Sequence, residues 1–194
     1  MDEAKRVRPL WHFVLIAAGV ALAAALVELA MGRALVSKTG RLMLWAGEVH
    51  SAENSQQVFD WYSFSHVIHG LAFYGALWLI GRRWNWTLGL RLMLAVAIEA
   101  AWEIFENTEF VVNRYRENTM ALGYQGDTVF NSLGDILACA LGFLLARQLG
   151  WRRAIAVFVL TEIVLLILIR DSLLLSVLML IYPVDALKNW QAGH

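Results

Sequence analysis

Two histidines, His66 and His69, stand at i, i+3, and three glutamates, Glu99, Glu103 and Glu106, follow at i, i+4, i+7. Further on, Asp127, Asn131 and Asp135 stand at i, i+4, i+8. On helices each set lies along one face. Paired imidazoles opposite carboxylates on facing helices are how helical bundles build metal sites, and nitrogen plus oxygen donors suit zinc, iron or manganese. A divalent ion would also reduce the repulsion among so many acids. Arg114, Arg116 and Arg170 carry planar forks suited to a phosphate or carboxylate. The expected roles follow: His66, His69, Glu103 and Asp135 as metal ligands, Glu99 or Asp127 as general base, and Arg114, Arg116 and Arg170 as anion-binding groups. Glu106, Asn131 and Asp171 support them.

The elements that must position these groups cross a bilayer. The chain has 194 residues, 59% hydrophobic and 16% charged, with sixteen Lys and Arg balanced by sixteen Asp and Glu. A soluble domain is usually about 25% charged, so the composition points away from a soluble cytosolic enzyme and toward a bilayer. Zero net charge leaves no electrostatic footprint for nucleic acid. The single Cys139 excludes a disulfide framework and a cysteine zinc cluster.

A spanning helix needs about 20 mostly apolar residues. The runs 10–31, 64–81, 87–105 and 128–146 meet that need, and 154–169 falls slightly short. The run 173–187 is shorter still and is interrupted by Pro183, so it reads as a sixth span, a re-entrant segment or an interfacial helix. None alternates apolar with polar residues as barrel strands do. The expected fold is a single integral membrane domain over 1–194, an all-α polytopic transmembrane bundle of five full spans plus a sixth short or re-entrant helix.

Basic residues near span ends set the orientation. Lys5, Arg6 and Arg8, then Arg82 and Arg83, then Arg147, Arg152 and Arg153 all fall on one side, which predicts a cytoplasmic N-terminus in the cell inner membrane. The opposite loops are mixed in charge, with Glu48, Glu53, Asp60, Glu109 and Glu117. Trp11, Trp61, Trp84, Trp86 and Trp151 fall at span ends, as an aromatic belt requires. The first apolar stretch exceeds the ~7–15 residues of a secretory signal core, so it reads as a retained span. This topology places every acidic set in the outer half of the bilayer, with Glu99 and Asp135 on the order of 10 Å deep. Ionisable groups there are functional hypotheses by default.

Smaller features have plainer readings. Residues 123–127 read most simply as a turn in which Asp127 is placed to cap the fourth span, with a phosphate-binding loop as the alternative, and Asp171 or Ser172 caps the last helix. Gly134, Ala138 and Gly142 recur as a close-packing face. Trp102 reads as bundle packing, and Glu28 is near enough to the interface to snorkel.

The stretches WYSFSHVIHG (61–70), WEIFEN (102–107), NRYR (113–116), GDTVFNS (126–132), IRDS (169–172) and LMLIYPVDAL (178–187) resemble the uncharacterised protein family numbered 0314. That is a family of bacterial multi-pass inner-membrane proteins. The resemblance covers about residues 10 to 191 and implies location and topology class, with no activity, ligand or catalytic residue. More remotely, an acidic helix, then Arg, then Asp-x3-Asn-x-x-Gly is similar to VanZ-like membrane proteins. Asp127, Asn131 and Gly134 match, whereas the His66 and His69 pair and the Trp-Glu-x-x-Glu helix depart, and no function transfers.

The expected function is a metal-assisted hydrolase or transferase acting on a lipid-linked or phosphate-bearing head group. The alternative is a non-enzymatic structural or partner-binding bundle whose polar cluster fixes helix register. A proton-coupled carrier is third, although the cytoplasmic halves of the spans are almost wholly apolar, with Arg91 the main exception.

Overall fold

The computed structural model describes residues 9–118 and 124–192. Lys5, Arg6, Arg8 and Gly123, used above for topology and the turn, lie outside the described residues. Among those described there are eight α-helices: α1 Leu10–Ala30, α2 Ser63–Gly81, α3 Leu88–Glu106, α4 Glu109–Asn118, α5 Val129–Leu149, α6 Trp151–Ile169, α7 Leu173–Ile181 and α8 Asp185–Ala192. Two short strands, β1 Trp45–Ala46 and β2 Phe59–Asp60, pair in parallel within the segment between α1 and α2.

Side-chain caps and left-handed residues set several boundaries. Thr87 accepts from Leu90 N at 3.2 Å to start α3, and Thr128 accepts from Asn131 N at 3.3 Å to start α5. Gly150, at φ 73°, closes α5 and opens α6, and Arg170 ends α6 in the left-handed region at φ 54°. Ser172 then caps α7 through Leu175 N at 3.4 Å.

Three helices are long and apolar enough to cross a bilayer by themselves: α1, α2 with the turn after it (Ser63–Trp84), and α5. A fourth crossing would combine α6 and α7, which meet at a 73° bend. Length and composition thus support three or four of the five full spans read from the sequence. Arg91, Glu99, Glu103 and Glu106 make α3 too polar to join that set, although it has 19 residues. The run 173–187 is not one helix either, because α7 stops at Ile181 and α8 starts at Asp185 beyond Pro183, which cannot continue a helix.

The bundle is organised around α2 and α5, while α1 packs on α3. Some 61% of α5's apolar span is buried against 22% of α1's, so α5 is central and α1 turns most of its side chains outward. α2 and α5 touch backbone to backbone at glycines. A Cβ on Gly70 would collide with Cys139 O and Phe143 N, and one on Gly142 with Val67 O. Gly134 meets Val58 O of the loop in the same way, so the small-residue face of α5 serves both a helix and a loop. This close approach sets the His-bearing face of α2 against Asp135 of α5.

Candidate functional site

Helix α2 brings His66 and His69 one turn apart, and α3 brings Glu99 and Glu103 opposite them. His66 Nδ1 lies 2.5 Å from Glu99 Oε1, and His69 Nδ1 lies 3.0 Å from the same oxygen and 3.1 Å from Oε2. Two imidazoles from one helix thus converge on one carboxylate from the next. His66 Nδ1 is also 3.2 Å from Glu103 Oε1, while its Nε2 faces Asp135 Oδ2 on α5 at 3.7 Å. Donor atoms of His66, His69 and Glu99 lie within 4.8 Å of one another, as do those of His66, Glu103 and Glu106.

Glu99 and Glu103 are both fully buried. Glu99 has its two histidines, but neither oxygen of Glu103 receives a hydrogen bond among the described residues. A buried carboxyl group without a hydrogen bond costs roughly 1–3 kcal/mol or more. A cation between Glu103 and His66 is one way to remove that cost. The donor set, imidazole nitrogen and carboxylate oxygen on helices facing one another, fits a divalent ion.

The loop before α2 braces the cluster from outside, which the spacing of acids alone did not indicate. Asp60 and Ser63 bond reciprocally across the turn that leads into α2: Ser63 N donates to Asp60 Oδ1 at 3.3 Å and Asp60 N to Ser63 Oγ at 3.1 Å. Ser63 Oγ then donates to Asp135 Oδ1 at 2.6 Å, fixing the carboxylate that faces His66. Burial raises the Asp60 carboxyl above its ordinary range, against the lowering by hydrogen bonds from Ser55 N and Tyr62 N. Asp and Ser three residues apart just before an apolar run are the sequence signal that could have found this turn. Asn131, expected as support, donates to Gln57 O at 2.8 Å and ties α5 to the same loop.

Asp127 does not cap α5; Thr128 does. The Asp127 carboxylate instead accepts from Asn107 Nδ2 at 3.1 Å and from the Tyr124 hydroxyl at 2.9 Å. Burial raises it to about 6, against those hydrogen bonds. Asn107 was not singled out in the sequence, yet it is fully buried, and its Oδ1 also accepts from Asp127 N at 2.7 Å. Asp171 receives Ser172 N at 2.8 Å, Ser176 Oγ at 3.1 Å and the Tyr62 hydroxyl at 3.2 Å, joining the α6–α7 break to α2.

These groups face a cavity of about 790 Å³ whose wall includes His66, His69, Glu106, Asp127, Asp135 and Asp171. Trp102 also lines it, edge-on to His69 at 6.2 Å between ring centroids, so it is more than bundle packing. Glu28 does not snorkel: it is fully buried beside Ser132, Asp127 and Arg33, without a well-formed hydrogen bond.

The three arginines are not brought to this cavity. Arg114 donates to Leu180 O at 2.9 Å and Ile181 O at 3.1 Å, holding the end of α7. Arg116 donates to Tyr124 O at 3.1 Å and Asn113 Oδ1 at 3.3 Å, and Arg170 to Trp190 O at 3.1 Å. Their forks hold backbone carbonyls, which sequence spacing cannot reveal. Lys38 is the one lysine or arginine among the described residues of the wall.

Comparison with known proteins places relatives over nearly the whole chain. A family model described as "Protein of unknown function (DUF2585)" matches residues 28–193. A UPF0314 protein of Sphingopyxis alaskensis is 48% identical over 180 residues, covering 92% of this chain and 94% of its own. One from Rhizobium meliloti is 46% identical over 192 residues, 99% of this chain and 95% of its own, and one from Paracoccus denitrificans is 46% identical over 189, at 97% and 95%. No solved structure matches this chain.

Proposed function

The chain belongs to the uncharacterised UPF0314 family, which brings no activity with it, and we propose from the site itself a metal-assisted hydrolase or transferase acting on a lipid head group. The observation that carries this reading is Glu103, fully buried, without a hydrogen bond, and 3.2 Å from a histidine that another carboxylate already engages. In this reading His66 Nδ1, His69 Nδ1 and Glu99 hold a divalent ion, with Glu103 as a further ligand. Asp135 faces the other nitrogen of His66, and so orients that ring in the manner of an outer-sphere carboxylate. Glu99, first read as a base, is better used as a ligand because both imidazoles point at it. Zinc, iron or manganese bound there would supply Lewis acidity and a nucleophilic water near neutral pH.

Asp127 then serves as general base. It lines the same cavity, and a carboxylate raised to about 6 is ionised at neutral pH yet basic enough to take a proton. Glu106, also on the wall, is the second acid available. With Arg114, Arg116 and Arg170 engaged elsewhere, the wall favours a glycan-linked head group over a bare phosphate. The acids of the wall offer polyol contacts, and Trp102 a ring surface.

The arginines Arg82, Arg83, Arg147, Arg152 and Arg153 support a cytoplasmic face at the opposite end, so the cavity opens toward the outer leaflet of the inner membrane. Elemental analysis of detergent-purified protein tests the proposal. A stoichiometric divalent metal in the wild type, absent from His66→Ala and His69→Ala, supports it. No metal in the wild type removes the enzyme reading and leaves a polar network that sets the register of α2, α3 and α5.

A further inference from the structure

At the opposite end of α2 and α3 from the histidines lies a second, open pocket of about 320 Å³, lined by Trp78, Arg82, Asn85, Trp86 and Arg91. It is separated from His66 by sixteen residues of helix, about 24 Å at ~1.5 Å per residue. Arg91 stands on the first turn of α3, and its Nε and Nη1 are buried and lack a hydrogen-bond partner among the described residues. The Arg91 guanidinium sits over the Tyr74 ring at 5.5 Å, and that of Arg82 over the Trp78 ring at 5.5 Å. These ring contacts favour each cation's place but leave the buried Arg91 N–H groups without an acceptor. No acid lines the pocket among the described residues.

The buried unsatisfied donors of Arg91, the exposed guanidinium of Arg82 beside them, no carboxylate and the positive end of α3 at one place describe a receptor for an oxyanion. Trp84 and Trp86 stack at 5.9 Å beside it, and Trp78 and Trp84 are exposed, as aromatic side chains at a membrane interface are. We propose that this pocket binds a phosphate group, with Arg91 and Arg82 as its ligands, at the interface opposite the metal site. Its chemistry accepts the phosphodiester of an anionic phospholipid or free inorganic phosphate. The site is independent of the proposed metal chemistry, and its test does not involve that chemistry.

The test is thermal unfolding of purified full-length protein in detergent with three additions: phosphatidylglycerol, phosphatidylcholine, or inorganic phosphate. Phosphatidylglycerol is expected to raise the midpoint where phosphatidylcholine does not. Arg91→Gln should weaken the half-saturating lipid concentration about tenfold or more, the loss expected for a charge-assisted pair of bonds. Arg82→Gln, on an exposed side chain whose loss leaves the fold intact, should weaken it in the same direction, whereas Arg153→Gln, at the same end but outside the pocket, should leave it unchanged. A shift with inorganic phosphate, equally sensitive to Arg91 and Arg82, assigns the site to the free ion. Equal responses to the two lipids without a phosphate response, or an equal loss in Arg153→Gln, overturn the proposal.

Discussion

His66 Nε2 faces Asp135 Oδ2 at 3.7 Å across the α2–α5 contact, leaving Nδ1 turned toward α3. The two ring nitrogens therefore do different work: one meets the acids of the candidate ligand set, and the other meets an acid that Ser63 holds in place at 2.6 Å. A metal ligand oriented in this way depends on its outer partner without binding through it.

Asp135→Asn is accordingly expected to weaken metal affinity about 10- to 100-fold while keeping the ion at saturating concentration. His66→Ala should abolish binding. Competition against a chelator of known affinity measures both. Equal abolition in the two variants would make Asp135 a direct ligand, as its position in the sequence first suggested.

The α2–α5 contact that sets this geometry rests on absent side chains. Gly70→Ala places a methyl group against Cys139 O and Phe143 N, which are backbone atoms and cannot rotate aside. It should destabilise the fold by roughly 1–3 kcal/mol or more and displace His69, one residue away. Gly75→Ala, with nothing within 4 Å of the new Cβ, should be neutral or stabilising by up to about 1 kcal/mol, since alanine is the better helix former. Thermal midpoints of the two variants in detergent decide the comparison.

Much of the site was legible because it is periodic. Glu99, Glu103 and Glu106 share a face of α3 by spacing alone, as His66 and His69 do on α2. Interactions between a side chain and a distant backbone leave no such trace. Arg114 looks like an anion clamp until Leu180 O and Ile181 O are seen in its fork. Asp127 looks like a cap until Thr128 takes that role and Asn107 takes the aspartate. At α3 the sequence reading and the composition test part for a physical reason: the acids of the candidate site, together with Arg91, make the helix too polar to count as an apolar crossing by composition. The run after Arg170 was divided by Pro183, whose position was visible but whose effect on helix length was left open.

Glu162 shows how one buried acid holds a bend. Its two oxygens accept from Leu173 N at 3.0 Å and Leu174 N at 3.1 Å, the free amides at the start of α7. A carboxylate there satisfies donors that the helix cannot and complements its positive end. Glu162→Ala should cost about 1 kcal/mol, with Glu162→Gln intermediate. Hydrogen exchange followed by mass spectrometry should show faster exchange confined to α7 and the residues before it. Unchanged exchange in α7 would mean that Ser172 alone caps the helix.

Asp127 predicts a pH dependence with a definite sign. Burial lifts its carboxyl from 3.8 to about 6, so between those values the folded protein binds more protons than the unfolded chain. Stability contributed by this group is present below 3.8 and falls as the pH rises through about 6, by roughly 3 kcal/mol in all. Asp127→Asn has no proton to lose and escapes that slope. It also turns an amide toward Asn107 Nδ2, a loss that does not change with pH. The difference in unfolding free energy, variant minus wild type, should therefore rise between pH 3.8 and about 6 and stay level above it. Denaturation in detergent across that range measures the curve. If Asp127 is also the base, turnover by the wild type rises over the same interval, and Asp127→Asn removes that rise together with most of the rate. A flat stability difference would show that Asp127 ionises in its ordinary range and leave Glu106 as the base to test.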